Sequence, residues 1–395
     1  MFWSLIALAT LSMTSCSQDE TLEARPQENA IEFGTYLGRD VQTRGTITDN
    51  NILEFGVFAF YTGNTSWAST GSSLVPNFMY NQSVSRTAVG SDWTYNPKKY
   101  WPTTNGDKIT FFAYAPMASV TNGMTVSATN NPGTPTVTYT IDSANLENMA
   151  DFVADAMIDI TKEGSTTLDS KNREVKFELN HELTRVNIQA KLDREAFNTT
   201  NTNKTKVNIT DVKFIGPKFA TSATYTFAQE NDDNSTTPIT KKRGTWSNFT
   251  YAQTPFSIFD TDDASFINKK IDDDLSSASY NQTGVAVPTN NVVNLFNTNQ
   301  YLFLIPTYGE NGIEANTVSM YVTYDIVTID AALNNGHSKT TTTKEIVLPA
   351  TLLKQGVAYN IVLTFGLNEI VLSATVSDWV NAGDSHNVDW PKTDK

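Results

Sequence analysis

The chain has one cysteine, three histidines and 28 basic residues against 42 acidic ones in 395. Each scarcity excludes something. A single cysteine rules out an intramolecular disulfide framework, a Cys-rich zinc module and haem attachment. A formal charge of −14 and a pI near 4.7 lack the surplus of Lys and Arg that neutralises phosphates, so no nucleic-acid partner is expected. Long apolar runs are scarce as well. The clearest, over residues 1–15 (MFWSLIALATLSMTS), falls short of the roughly 20 residues that span a bilayer. No G-x-S-x-G, P-loop or H-E-x-x-H pattern occurs. What is present is 39% hydrophobic and 11% aromatic residues, which excludes global disorder and permits sizeable cores.

The amino-terminal run fits the apolar part of a secretory signal. No Lys or Arg precedes Arg25, so the true start is expected upstream of Met1, or the signal is atypical. Residues 11–16 (LSMTSC) resemble a bacterial lipobox, which assigns Cys16 as the lipidated residue and 1–16 as a lipoprotein signal. Ser17-Gln18-Asp19-Glu20 resembles the acidic stretch that directs Bacteroidetes lipoproteins to the cell surface. A diacyl anchor would hold such a chain at the outer membrane before any processing.

Beyond Pro26 the apolar segments are short and rich in Val, Ile, Thr, Tyr and Phe, as in FGVFAFY (55–61), KITFFAY (108–114), LTRVNIQAKL (183–192) and AYNIVLTF (358–365). Asn/Thr/Ser/Gly/Asp stretches at 62–72, 121–135 and 231–245 read as loops. Short helices are expected only over 143–151 and 262–278. The chain is therefore read as all-β, built of sandwiches. The linker-like 162–167 places a boundary near 170, between a 45–170 unit and a 171–395 unit.

Four stretches taken together are similar to the fimbrillin family, the pilins of Bacteroidales type V fimbriae. They are 31–61 (IEFGTYLGRDVQTRGTITDNNILEFGVFAFY), 100–116 with its YWP and KITFFAYAP, 177–192 (FELNHELTRVNIQAKL) and 356–379 (GVAYNIVLTFGLNEIVLSATVSDW). The resemblance implies two tandem transthyretin-like β-sandwich domains, export as a lipoprotein, cutting by an arginine-specific protease, and polymerisation with self or homologous subunits by strand exchange. It implies a cell-surface fimbrium supporting adhesion, no enzymatic activity and no cofactor.

The residues can be asked whether they support this. Ile31, Phe33, Thr35 and Leu37 fall on one side of an extended strand, with Glu32, Gly34 and Tyr36 on the other. Arg25 precedes Pro26 and Arg39 precedes Asp40, both poor sites for a trypsin-like protease. Arg44 precedes Gly45 in a polar stretch and is the best site, which makes 17–44 a propeptide carrying a removable strand that completes the 45–170 sandwich. Its loss would leave a groove and an unpaired edge, features that recruit a strand. At the other end Ile370, Leu372, Ala374 and Val376 share one face of a candidate donor strand, placed near 367–390. Alternation alone does not separate a donor from a last core strand. Thr240-Lys241-Lys242-Arg243-Gly244 is a competing protease site if its loop is exposed.

Other chemistry is weaker. His181 points toward a core between Leu179 and Leu183, while His337 and His386 belong to no triad. Asp260/Asp262/Asp263 and Asp272/Asp273/Asp274 lack EF-hand spacing, so no metal site is expected. Trp67, Trp93, Tyr95, Tyr100 and Trp101 are the candidates for a glycan platform, the basis of the alternative reading: a non-polymerising surface lipoprotein that binds glycans or host proteins.

Overall fold

The computed structural model describes residues 30–36, 51–142, 146–162, 174–193, 205–232, 242–259, 266–268, 270–271, 283–288, 291–298, 300–307, 318–334, 336–348, 352–366, 369–377 and 386–388. Cys16, Leu37, Arg44, Gly45 and both acidic clusters lie outside these residues. Among the described residues no helix is long and apolar enough to cross a membrane. The structure is nearly all β, as the composition predicts.

A five-stranded sheet in the amino-terminal half orders Met79–Ser85, Glu54–Gly63, Lys108–Ala115, Val153–Thr161 and Asn180–His181. Its three central strands read as near-continuous apolar runs because both faces are covered. Phe55, Val57, Ala59, Phe111 and Ala113 enter one core, while Phe58, Phe60, Phe112 and Tyr114 enter another. In Val153–Thr161 the alternation is reset at Asp159, whose φ of 58° lies in the left-handed region, so Met157 and Ile160 face the same side.

The first core is closed by a two-stranded parallel sheet, Glu32–Tyr36 with Glu174–Glu178. The second is covered by a four-stranded sheet that orders Thr245–Tyr251, Ala220–Thr226, Thr136–Thr140 and Met124–Val126. Phe227 packs from this cover against Phe58, Phe112 and Tyr114. Among the described residues strand pairing thus crosses position 170 three times, at 32–36 with 174–178, at 153–154 with 180–181 and at 136–140 with 222–226.

The carboxyl-terminal half holds two six-stranded sheets. In one, Thr184–Leu192 runs parallel to Ala358–Phe365, which continues antiparallel to Ile370–Ser377. In the other, Thr205–Ile215 pairs with Val318–Ile329, which pairs with His337–Leu348. Val186, Ile188 and Ala190 of the first share a core with Val207, Ile209 and Val322 of the second, and Tyr324 meets Phe365 edge-on at 5.0 Å. Where short helices were expected, 143–151 contains a 3-10 turn at Leu146–Asn148. Of 262–278 the structure describes 266–268 and 270–271, which pair through an Ile267–Phe296 bridge and the strand Lys270–Ile271.

Candidate functional site

The site begins with the sequence IEFGTY. Its alternation buries Ile31 and Phe33 completely or nearly so and turns Glu32 and Tyr36 to solvent. The strand is fixed at its start by backbone bonds rather than by length. Ile31 N–H donates to the Lys99 carbonyl (2.9 Å), the Tyr95 hydroxyl donates to the Ile31 carbonyl (2.7 Å), and Ala30 bridges Tyr100. At its end Leu179 N–H donates to the Tyr36 carbonyl (3.1 Å). Burial pushes the Tyr95 phenol up to about 12, so it stays a donor at any physiological pH.

Phe33 is the anchor. Its ring lies 5.2 Å from Tyr95, 5.9 Å from Phe111, 6.0 Å from Phe177 in a stacked arrangement, and 6.4 Å from Phe55 edge-on. Gly34 faces the Glu174 carboxylate so closely that a Cβ there would overlap it. A five-residue parallel ladder, the hydrogen bonds at its two ends, the buried Ile31 and one aromatic anchor hold this strand over the core face. The arrangement can act as a plug.

At the other end, Ile370–Ser377 is paired along its full length with Ala358–Phe365, and His386–Val388 pairs with its outer edge. Ala374 is buried, Ile370, Leu372 and Val376 are half-buried against the core, and Val371 on the opposite face is 54% exposed. The expected face is thus the inward one, in the chain's own sheet.

Between the sheets lies a polar hub. Glu182 is buried, its backbone N–H donating to the Phe152 carbonyl (2.8 Å) and its carbonyl accepting from the Trp246 indole (2.9 Å). Its Oε2 accepts from Gln355 and lies 3.5 Å from Arg243 Nη1, which also donates to the His181 carbonyl. Burial pushes the Glu182 carboxyl up to about 7, opposed by Arg243, Gln355 and Tyr225. His181 is a core histidine, as its alternation predicts, with Nδ1 2.9 Å from Asp151 Oδ2. Sequence reading placed Arg243 in a loop and missed this hub. The one available signal was a carboxylate, Glu182, inside an apolar strand-like run.

The candidate glycan platform does not form as one surface. Trp67 is buried between Phe60 and Phe112, Trp101 is buried against Phe111, and Tyr95 is the plug's hydrogen-bond donor. Trp93 is half-buried between Phe55 and Arg86, which leaves Tyr100 as the exposed member. Among the described residues no group of three potential metal ligands converges.

The described residues form an all-β protein whose buried tyrosines and carboxylates are committed to partners within its sheets. Its family follows from comparison with known proteins. The fimbrillin-like family model matches residues 41–379. The chain is 32% identical over 399 residues to fimbrium subunit Fim1C of Phocaeicola vulgatus, covering 96% of this chain and 97% of that one. It is also similar to the crystal structure of a fimbrial protein from Bacteroides vulgatus, with 29% identity and a TM-score of 0.70 over 89% of this chain and 100% of that one. The chain belongs to the fimbrillin-like family and is a fimbrial protein rather than an enzyme.

Proposed function

We propose that the chain is a polymerising subunit of cell-surface fimbriae. It is exported as a lipoprotein anchored through Cys16, cut after Arg44 by an arginine-specific protease, and joined to other fimbrial subunits when a neighbour's strand enters the groove that residues 31–37 vacate. The observation that carries this reading is the burial of Ile31 and Phe33 in the core that Phe55, Phe111 and Phe177 line. Cutting at Arg44 severs this strand covalently from residues 45–395, after which only non-covalent contacts retain it: the parallel ladder with 174–178, the hydrogen bonds at its two ends and the packing of Ile31 and Phe33. Its loss leaves Phe55, Phe111 and Phe177 without their shared neighbour and Glu174–Glu178 with a free edge, an apolar groove beside unpaired backbone.

The donor is the carboxyl-terminal stretch near 367–390, whose Ile370, Leu372, Ala374 and Val376 have the period-two face the groove requires. A donor and groove on opposite ends of one chain give a head-to-tail contact that does not close. Arg44→Ala tests the scheme: the lipidated monomer should persist and fibres should disappear, and fibres of normal length from that variant would refute it.

A further inference from the structure

The tripeptide Arg-Gly-Thr occurs at 44–46 and again at 243–245. A protease that reads only the residues beside the scissile bond cannot tell the two apart, and the second follows Lys241 and Lys242, which increase its appeal to a cation-specific enzyme. We infer that the buried Glu182 hub is a guard that withholds the Arg243–Gly244 bond from arginine-specific processing. This rests on the processing reading above only for its biological purpose.

Cleavage requires the arginine side chain to enter the protease's own pocket and the flanking backbone to lie extended in its cleft. Both are already committed. The Arg243 guanidinium reaches inward to Glu182 and the His181 carbonyl, and the guanidinium lies directly over Gly356. Gly356 has φ +68°, and a Cβ there would meet both terminal guanidinium nitrogens at 2.6 Å, so glycine is needed to admit the arginine. The backbone is held on both sides of the bond. Lys242 N–H donates to Asp232 Oδ1 (2.7 Å), Gly244 N–H to the Tyr225 hydroxyl (3.1 Å), and the Gly244 carbonyl accepts from Gln355 (3.1 Å). Thr245 then enters the strand Thr245–Tyr251. Cutting at 243 therefore has to wait for a local opening that breaks these contacts together.

The guard has a consequence for the fold. A cut there would separate Thr245–Tyr251 from the residues before it, and that strand covers the aromatic core through Trp246.

The test is limited proteolysis of the folded full-length chain with an arginine-specific protease, followed by sequencing of new amino termini. Wild type should yield no GTWSNF terminus over a period in which a peptide spanning 238–248 is consumed. Glu182→Leu, which leaves the guanidinium without its carboxylate, and Gly356→Ala, which displaces it without touching Glu182, should each raise cutting at 243 about a hundredfold. Circular dichroism confirms that each variant is folded, and adding Arg243→Gln to either should abolish the GTWSNF terminus. Release of GTWSNF from wild type at the rate of the peptide overturns the inference, as do folded variants that remain uncut there. The processing reading is scored separately, by whether GTITDN appears.

Discussion

Phe33→Ala separates a plug from an ordinary strand. Phe33 is 3% exposed and touches four aromatic rings, so its truncation removes a full aromatic side chain from a packed core. Such changes cost about 3–5 kcal/mol. The strand has one parallel partner and can settle partly into the cavity, which places the expected loss near the low end, about 3 kcal/mol, or roughly two decades in the folding equilibrium. Urea titration of the uncut precursor reports it, because Trp93 and Trp101 belong to or border the affected core. The same titration on protein cut after Arg44 and assembled should show no difference from wild type, since 45–395 no longer contains position 33. A precursor that loses less than about 1 kcal/mol would mean that Phe33 does not anchor the strand in solution. Assembled fibres that differ between variant and wild type would mean that the strand never left.

Two further predictions follow from the hydrogen bonds and charges. Tyr95→Phe removes the donor to the buried Ile31 carbonyl and should destabilise the precursor by about 1–2 kcal/mol, measured by the same titration. The Glu182 carboxyl is raised from 4.5 to about 7, so the folded chain holds a proton that the unfolded chain releases between those values. Stability should therefore fall as pH rises from about 4.5 to 7, by about 3 kcal/mol at ~1.4 kcal/mol per pH unit, and Glu182→Gln should flatten that part of the pH–stability curve. A slope unchanged in the variant would assign the titration to another group.

The strands were legible because their composition and period are local properties. AYNIVLTF matches Ala358–Phe365 end to end, and FGVFAFY lies within the strand Glu54–Gly63, whose burial on both faces only the fold shows. The buried face of 31–36 was legible for the same reason. What could not be read is pairing over long separations. Nothing in IEFGTY indicates that its partner is EVKFE, some 140 residues away, or that the partnership is parallel. Residues 231–245 have loop composition, yet Arg243 and Gly244 are tied into a hub whose other members, Glu182 and Gln355, are distant in sequence. Trp67 illustrates the limit from the other side: a Trp within a Gly/Asn/Thr/Ser stretch reads as exposed, while the fold turns it inward between Phe60 and Phe112.

The two aromatic cores also explain how a strand could leave without unravelling the rest. The five-stranded sheet separates them: Phe33 contacts Phe55, Phe111 and Phe177 on one face, whereas Phe58, Phe112 and Tyr114 on the other face pack against Phe227 and its cover sheet. Withdrawal of residues 31–36 therefore exposes one face of one sheet, while the larger core that unites the remaining sheets keeps its contacts. A break at Arg243 acts on that larger core, because Trp246 and Tyr225 pack there against Phe152. The proposed cut at Arg44 would thus spare the larger core, whereas a cut at Arg243 would disrupt it, and the Glu182–Arg243 contact lies at that second site. If that asymmetry is the reason for the hub, a Glu182→Leu chain should still release GTITDN but lose Trp246 burial once the second bond is cut, seen as a red shift in fluorescence that the Arg243→Gln double variant does not show.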